Sequence, residues 1–253
     1  ADQSGEAPSR IVSLSPTSTE MLYAIGADDQ VVAVDSYSYF PEGTPVTELS
    51  GWDPNVEAIL NFDPDLVLLS YDPGDVLAGL AAAQVKAIVL PAAVVIADTY
   101  AQIEQLGDLT GRSTAAEQVV AEMQTKMAAL AAQAAKVGSD LTYYHELDDT
   151  YFSVTSSTFI GEIYALAGLK NIADAADRDG SSFGYPQLSG EYLVDSGPDL
   201  IFLADVECCG QTADVVAKRP GWELIPAVAN GRIVELPPDI PSRWGPRIVD
   251  LLR

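Results

Sequence analysis

Aromatic side chains beside prolines and glycines are the groups of this sequence best suited to contact a ligand. Tyr37, Tyr39, Trp52, Tyr185 and Trp244 each lie within a few residues of a proline or a glycine. Broad apolar faces with a few fixed hydrogen-bonding groups suit a bulky, partly flat ligand. The same residues could instead be packed loop aromatics, so both interpretations stay open from the residues alone.

Groups for catalysis, or for holding a bare metal ion, are scarce. His145 is the only histidine, whereas transition-metal sites usually combine several His, Cys and carboxylate ligands. We interpret His145 as a strand-end residue whose ring is hydrogen-bonded. The chain has no Gly-x-Ser-x-Gly elbow, phosphate loop or Gly-x-Gly-x-x-Gly turn. The sequence therefore predicts no catalytic residue, no metal ligand, no cofactor and no enzymatic activity.

The two cysteines, Cys208 and Cys209, are adjacent in the chain. This spacing excludes a Cys-x-x-Cys redox site. A vicinal disulfide and a pair of free thiols are both compatible with it.

Short apolar runs that alternate with helical segments predict an α/β fold with parallel sheets. The predicted strands of the first half are Arg10–Ser15, Val31–Val34, Leu66–Leu69 and Ala87–Leu90. The predicted helices start near Pro16, Val56 and Val76, and the first of them would be capped by Thr17 or Ser18.

A long helix is predicted to divide the chain. The segment from Ser113 to about Lys136 is rich in Ala, Glu, Gln, Met and Lys and lies between Gly111 and Gly138. Such a helix would be about 36 Å long, close to the width of a small domain. We predict a flexible tail (1–9), an N-terminal lobe (10–112), an interlobe helix (113–137) and a C-terminal lobe (138–253).

The second half of the chain repeats the first. A glutamate is followed seven residues later by Pro-Asp and an apolar strand, at Glu57 and Pro64 and again at Glu191 and Pro198. Two further echoes in the same order are Glu20–Gly26 with Glu162–Gly168, and Ala87–Pro91 with Arg232–Pro237. Three ordered echoes on either side of a long helix predict two lobes of like fold.

The carboxyl ends of the strands are the predicted position of a ligand site, in a cleft shared by the lobes. The loops after those strands supply Tyr37, Tyr39, Trp52 and Tyr71 in one lobe. In the other lobe they supply Phe183, Tyr185, Asp239, Arg243 and Trp244.

The amino-acid composition limits the kinds of partner that the protein can bind. The chain has 253 residues, of which 37 are acidic and 13 basic, for a formal net charge of -24. Nucleic acid needs clustered Lys and Arg, so its binding is disfavoured, and so is an anionic membrane surface. No run is long and apolar enough to be a membrane span.

Several of these segments together resemble a known family, the binding proteins of cobalamin and ferric-siderophore ABC importers. They are Arg10–Glu20, Ser36–Pro41, Pro64–Val67, Tyr185–Glu191 and Arg243–Arg247. The resemblance implies two Rossmann-like lobes bridged by one helix, an extracytoplasmic location in the periplasm or at the cell surface, and a possible lipid anchor. It also implies a monomer that docks on an ABC permease dimer through one acidic residue per lobe. Glu191 matches the docking position of the second lobe, and Asp75 lies near that of the first.

Within this family, Ser36–Pro41 looks closest to the corrinoid-binding members, and Asp239 and Arg243 fall at positions that carry cleft residues there. Tyr71 stands where a cobalamin receptor has a tryptophan. A ferric siderophore is the alternative ligand, because an anionic chelate would use Arg178, Arg243 or Arg247. Haem would need axial ligands from a tyrosine or His145. We therefore expect a cobalt or iron chelate rather than a bare ion; an enzyme and a signalling or adhesion module are the alternatives outside the family.

Overall fold

The computed structural model describes residues 7–137, 140–237 and 239–252. Of the predicted tail 1–9, residues 1–6 lie outside the described residues. Within the described part, eight strands form two four-stranded sheets, and every neighbouring pair of strands is parallel. The predicted α/β class with parallel sheets is confirmed.

The strands are short, with at most five residues each. In chain order they are β1 (Ile11–Leu14), β2 (Val31–Val34), β3 (Leu66–Leu69), β4 (Lys86–Val89), β5 (Thr142–Glu146), β6 (Lys170–Asn171), β7 (Leu200–Leu203) and β8 (Ile233–Glu235). The first sheet has the order β2-β1-β3-β4, and the second has the order β6-β5-β7-β8. The two sheets therefore have the same topology.

Ten α-helices are found in the described residues. They are α1 (Pro16–Ala24), α2 (Val56–Leu60), α3 (Val76–Ala82), α4 (Ile96–Thr110), α5 (Ser113–Val137), α6 (Phe159–Leu166), α7 (Gly190–Ser196), α8 (Val206–Cys209), α9 (Ala213–Val216) and α10 (Pro226–Ala229). Short 3-10 helices occupy Asp28–Gln30, Ala173–Ala175, Trp222–Leu224 and Pro246–Leu252.

The sequence echoes occupy equivalent places in the two sheets. Helix α2 precedes β3 as α7 precedes β7, and each Pro-Asp pair lies immediately before its strand. The echo at Ala87–Pro91 falls on β4 and the echo at Arg232–Pro237 on β8, and these strands are last in their sheets. The repeat inferred from the sequence is thus a repeat of strand order.

Each sheet is packed into an apolar core of its own. Around the first sheet the fully buried residues include Val12, Leu14 and Leu69, and around the second they include Tyr144, Ile201 and Leu203. Because β1, β3 and β7 are internal in their sheets, their runs are mostly apolar rather than alternating. Strand β5 is also internal, but it contains Thr142, His145 and Glu146.

The chain divides into two compact units. The first unit contains the described residues up to Ala93, together with Ala97–Gln124 and Arg243–Pro246; the second contains Val94–Ile96 and the described residues of Thr125–Ser242 and 247–252. The division falls inside α5, whereas the sequence-based division kept 113–137 apart as an interlobe helix. The observed division also assigns the segment Arg243–Pro246, near the C-terminus, to the first unit.

The first helix is capped differently from the prediction. Ser15, not Thr17 or Ser18, is the N-cap residue, and its side chain accepts a hydrogen bond from the Ser18 N–H at 3.3 Å. Pro16 then occupies the first helical position, where its missing N–H costs nothing. Because proline is favoured at that position, Pro16 itself was the signal that could have located the cap.

Helix α4 was not predicted. Gly107 in its interior lowers the helix propensity. A Cβ at Gly107 would collide with the Cβ of Ala116 in α5. The glycine therefore allows close contact between the two helices, a tertiary requirement that local propensity does not reveal.

Candidate functional site

A buried hydroxyl cluster supports the aromatic loop after β2 in the first unit. Thr19 Oγ1 lies 2.9 Å from Ser13 Oγ and 3.2 Å from Ser38 Oγ, and all three side chains are buried. Asp35 starts the loop and accepts a hydrogen bond from the Tyr37 N–H at 3.3 Å. Burial raises the pKa of Asp35, while hydrogen bonds from Ser38 and Tyr37 act in the opposite direction.

Four predicted ligand residues of the first unit expose their rings. Tyr37 and Tyr39 are exposed on the loop after β2, and the Trp52 side chain is 76% exposed. The Tyr71 hydroxyl donates to the Trp52 carbonyl oxygen at 3.0 Å, and the two rings meet edge to face with centroids 5.6 Å apart. The structure thus brings Trp52 and Tyr71 together although they are 19 residues apart in the chain.

Arg243 is bonded to the aromatic loop after β2. Its guanidinium donates to Glu20 Oε1 at 2.9 Å and to the Tyr37 carbonyl oxygen at 3.0 Å, and it lies 4.9 Å from the centroid of the Tyr39 ring. Its side chain is 8% exposed. Sequence reasoning did not single out Glu20 as a partner, because the two residues are 223 positions apart.

Trp244 packs on helix α4. Its indole N–H donates to Gln102 Oε1 at 3.0 Å, and its carbonyl oxygen accepts a hydrogen bond from Thr99 Oγ1 at 2.9 Å. Part of the ring remains accessible. Trp244 therefore anchors the segment Arg243–Pro246, and ligand contact by either Arg243 or Trp244 stays a prediction.

The second unit exposes two predicted aromatic residues, Phe183 and Tyr185. Phe183 is 88% exposed and has φ +51°, a left-handed conformation that is unusual for a bulky residue. Asp177 holds this loop by accepting hydrogen bonds from the Ser182 and Gly184 N–H groups, each at 2.8 Å. A strained, exposed aromatic residue on a fixed loop is the kind of outlier that favours a functional interpretation.

Asp239, also predicted to contact the ligand, is paired within its own unit. Arg247 Nη2 lies 3.5 Å from Asp239 Oδ2, and both side chains are mostly buried. Asp239 is thus fixed by a cation, and its contact with a ligand stays a prediction.

The two acids predicted to dock on a permease are exposed, one in each unit. Glu191 lies in the first turn of α7, behind the N-cap Ser189. Asp75 precedes α3 with φ +58° and makes no side-chain capping bond. Asp72 accepts the hydrogen bond from the Leu77 N–H instead, at 3.3 Å.

His145 is only half hydrogen-bonded, contrary to the prediction of a satisfied ring. It is fully buried, its Nδ1 lies 2.9 Å from the Tyr164 hydroxyl, and its Nε2 has no partner among the described residues. Burial lowers its pKa to about 3. Among the residues that the structure describes, no group of three or more His, Cys, Asp or Glu is placed to hold a metal ion.

The sulfurs of Cys208 and Cys209 are bonded to each other in the structure. This vicinal disulfide lies in α8, directly after β7, at the strand end where the sequence placed part of the site. Of the two alternatives left open by the sequence, the structure has the disulfide.

The sequence matches a family of known binding proteins. A family model for periplasmic binding proteins matches residues 11–240, which is most of the chain. The chain is a periplasmic binding protein. The family is one of binding proteins rather than enzymes, so the predictions of a non-enzymatic protein and of an extracytoplasmic location are confirmed.

Two sequence relatives show which kind of binding protein this chain resembles. It is 30% identical over 252 residues to an uncharacterised ABC transporter substrate-binding lipoprotein of Bacillus subtilis, covering 96% of this chain and 77% of the relative. It is 33% identical to a cobalamin-binding protein of Halobacterium salinarum, covering 96% of this chain and 67% of the relative. The resemblance to importer binding proteins is thereby confirmed.

A solved structure agrees with the fold of this binding protein. A possible iron-binding, periplasmic solute-binding protein of Staphylococcus epidermidis superposes with a TM-score of 0.83 at 26% identity, covering 98% of this chain and 96% of the other. Within the described residues, no helix has the length and apolar character needed to cross a membrane.

Proposed function

We propose that this binding protein captures a corrinoid ligand of the cobalamin type and delivers it to the permease of an ABC importer. The observation that carries the proposal is the set of exposed aromatic residues that each unit presents on loops after its parallel strands. Trp52, Tyr71 and Phe183 belong to this set. Aromatic rings offer large apolar faces to a bulky ligand, and their loops can supply hydrogen bonds that orient it.

The state of the arginines favours a corrinoid over an anionic chelate. Arg243 is neutralised by Glu20 and Arg247 lies against Asp239, so two of the three arginines considered for an anionic ligand already face acids. Arg178 is exposed, but one cation gives weak selectivity for a multiply charged chelate. A large ligand with little net negative charge fits these surroundings better. The relative from Halobacterium salinarum, a cobalamin-binding protein, supports the same ligand class.

A direct test is calorimetric titration of the protein with cyanocobalamin and with cobinamide. We expect saturable binding of a corrinoid and an increase in the melting temperature with ligand concentration. Absence of both effects at high ligand concentration would refute corrinoid binding. A mass spectrum of any ligand that stays bound through purification provides an independent identification.

The aromatic set can be tested by one substitution and a matched control. Trp52→Ala removes an exposed ring from the set, and we expect corrinoid affinity to fall about 10-fold to 100-fold. Leu224→Ala removes an exposed apolar side chain of the second unit that lies outside the set, and it should leave the affinity unchanged. Equal affinities for the two variants would exclude Trp52 from the ligand site.

A ferric siderophore is the second candidate, favoured by the fold similarity to a possible iron-binding protein. Iron-loaded hydroxamates and catecholates belong in the same titration series, and tighter binding of one of them would reassign the ligand. Haem is a weaker candidate, because His145 is buried against Tyr164 and only exposed tyrosines could act as axial ligands.

We propose further that Glu191 and Asp75 dock on basic residues of the permease. Both are exposed, and one lies in each unit. Glu191→Gln should lower transport in cells that depend on this importer, while ligand affinity in solution stays the same. Asp214→Asn is the control, because Asp214 is also an exposed first-turn acid of the second unit, on helix α9, and it lies outside the sequence echo that relates Glu191 to Glu57. A lipid anchor and a monomeric state remain predictions.

A further inference from the structure

A buried charged assembly lies at the carboxyl ends of β5 and β7 in the second unit. Glu146, the last residue of β5, is fully buried and accepts two hydrogen bonds of 2.6 Å from the guanidinium of Arg219. Arg219 also donates to Gln211 Oε1 at 2.8 Å, and it lies over the rings of Trp222 at 4.5 Å and Tyr151 at 5.2 Å. One cation therefore connects the loops that follow both strands.

A second buried carboxyl group faces this pair. Asp205 is fully buried at the start of α8, and neither of its carboxyl oxygens has a hydrogen-bond partner among the described residues. It makes no capping bond to its own helix, although aspartate is favoured for that role. Ala204, the residue before Asp205, donates its N–H to the Glu146 carbonyl oxygen at 3.0 Å, so the two acids are neighbours at the ends of β5 and β7. An ionised Glu146 has no proton to donate to Asp205.

The first unit shows that the fold does not need these charges. Glu146 pairs in register with Leu203 of β7, as Leu14 pairs with Leu69 of β3. Leu14 therefore occupies the place of Glu146 in a sheet of the same topology, and it is part of an apolar core. Because buried charges rarely improve on a well-packed apolar residue, the acid at this position calls for an explanation other than stability.

We propose that Asp205 and Glu146 bind one proton between them, and that this proton holds α8 against the end of β5. With the proton in place, Asp205 donates to Glu146 and the assembly of two carboxyl groups and one guanidinium is neutral. Without it, two buried carboxylates compete for Arg219, and each leaves acceptor oxygens without donors.

The titrating groups around Asp205 come from three segments of the second unit. Strand β5 contributes Glu146 and the hydroxyl of Tyr144, which is also without a partner among the described residues. The loop after β5 contributes Tyr151, and the chain beyond α9 contributes Arg219. Burial raises the pKa of Tyr144 well above its ordinary value, so this hydroxyl stays protonated in the same range.

The groups around Asp205 set the pH at which it loses its proton, and this pH is close to neutral. Burial first, and the Glu146 carboxylate second, raise the pKa of Asp205 to about 7, and Arg219 acts in the opposite direction. A raised carboxyl pKa stabilises the folded state below the unfolded value and loses that stabilisation as pH rises through the folded value. An extracytoplasmic protein experiences the pH of its medium, so the contact of α8 would loosen as the medium turns from acidic to alkaline.

The test compares Asp205→Asn with the unaltered protein across pH. Asparagine has nearly the same shape and donates to Glu146 at every pH. We measure the unfolding equilibrium constant of each by urea denaturation from pH 5 to pH 8 and take their ratio, so that all other titrating groups cancel. The constant of the unaltered protein should rise about 100-fold relative to the variant over this range.

Asp214→Asn is the control, because Asp214 is an exposed acid in the first turn of the neighbouring helix α9. The ratio between the unfolding constants of the unaltered protein and Asp214→Asn should not change with pH. A ratio for Asp205→Asn that is equally constant would overturn the proposal. Should that variant not fold, carboxyl-carbon NMR of the unaltered protein decides: one aspartate with a midpoint near pH 7 is expected, and all midpoints below pH 5 would refute the shared proton. No ligand is needed, so the result is independent of the proposed function.

Discussion

The guanidinium of Arg243 joins helix α1 to the aromatic loop after β2. It was predicted to contact the ligand; in the structure it forms a buried ion pair with Glu20 and donates to the Tyr37 carbonyl oxygen of the aromatic loop. An uncompensated buried charge is costly, so Arg243→Met should lower the free energy of unfolding by about 3–5 kcal/mol. Urea denaturation measures this value.

The control for this prediction is a second ion pair between an arginine and a carboxylate in the same unit. Arg112 is paired with Asp29 at 3.0 Å with both side chains well exposed, so Arg112→Met should cost about 1 kcal/mol or less. Comparable losses for the two variants would mean that the Glu20 pair is not the main anchor of the loop. Corrinoid affinity of Arg243→Met, measured well below its unfolding transition, then separates loop support from direct ligand contact.

The buried ring of His145 should make the stability of the fold depend on pH. Its pKa is about 3 in the folded protein because it is buried, against about 6.5 in an unfolded chain. Its folded-state pKa is depressed, so the unfolded chain takes up the proton first and stability falls as pH drops below 6.5. Between pH 7 and pH 5 this group alone should raise the unfolding constant about 25-fold. His145→Gln should lack that contribution, and an unchanged pH dependence would contradict the burial of a neutral ring.

At the scale of elements, the loop before α7 depends on one glycine. Gly184 has φ +87°, and a Cβ there would lie 2.7 Å from Thr158 Cγ2. Gly184→Ala should therefore destabilise the second unit by about 2–3 kcal/mol and weaken any ligand contact made by the adjacent Phe183. Gly180→Ala is the matched control, because Gly180 has φ +70° with no atom within 4 Å of the added carbon. It should cost only about 1 kcal/mol, and equal costs would show that contact with Thr158 is unimportant.

The elements also show where sequence reasoning succeeds. Strands such as Leu66–Leu69 were predicted with their observed bounds because a buried parallel strand is a short, continuous apolar run after a Pro-Asp turn. Helix α4 was missed because Gly107 serves a contact with α5 that no local pattern encodes.

The candidate site was predicted in its residue types and less well in its contacts. Exposed aromatic residues in loops could be proposed from the sequence because strand ends mark the site in parallel sheets. The pairing of Glu20 with Arg243 and of Glu146 with Arg219 could not, because each joins residues far apart in the chain. Such charge pairs depend on tertiary packing, so local sequence patterns do not predict them.

At the scale of the whole molecule, the net charge of -24 dominates long-range electrostatics. Acids outnumber bases by 37 to 13, so most carboxylates on the surface have other carboxylates as their charged neighbours. Such self-repulsion favours the expanded, unfolded chain. Salt at about 1 M shortens the screening length to about 3 Å and removes most of this repulsion.

The melting temperature should therefore rise by several degrees between low salt and 1 M KCl, as followed by circular dichroism. A variant that carries Glu104→Gln, Glu117→Gln and Glu223→Gln removes three exposed acids and is the test of cause. It should melt higher than the unaltered protein at low salt and gain less from added KCl. An equal gain for both proteins would assign the salt effect to general strengthening of apolar contacts, because that effect does not depend on the number of carboxylates.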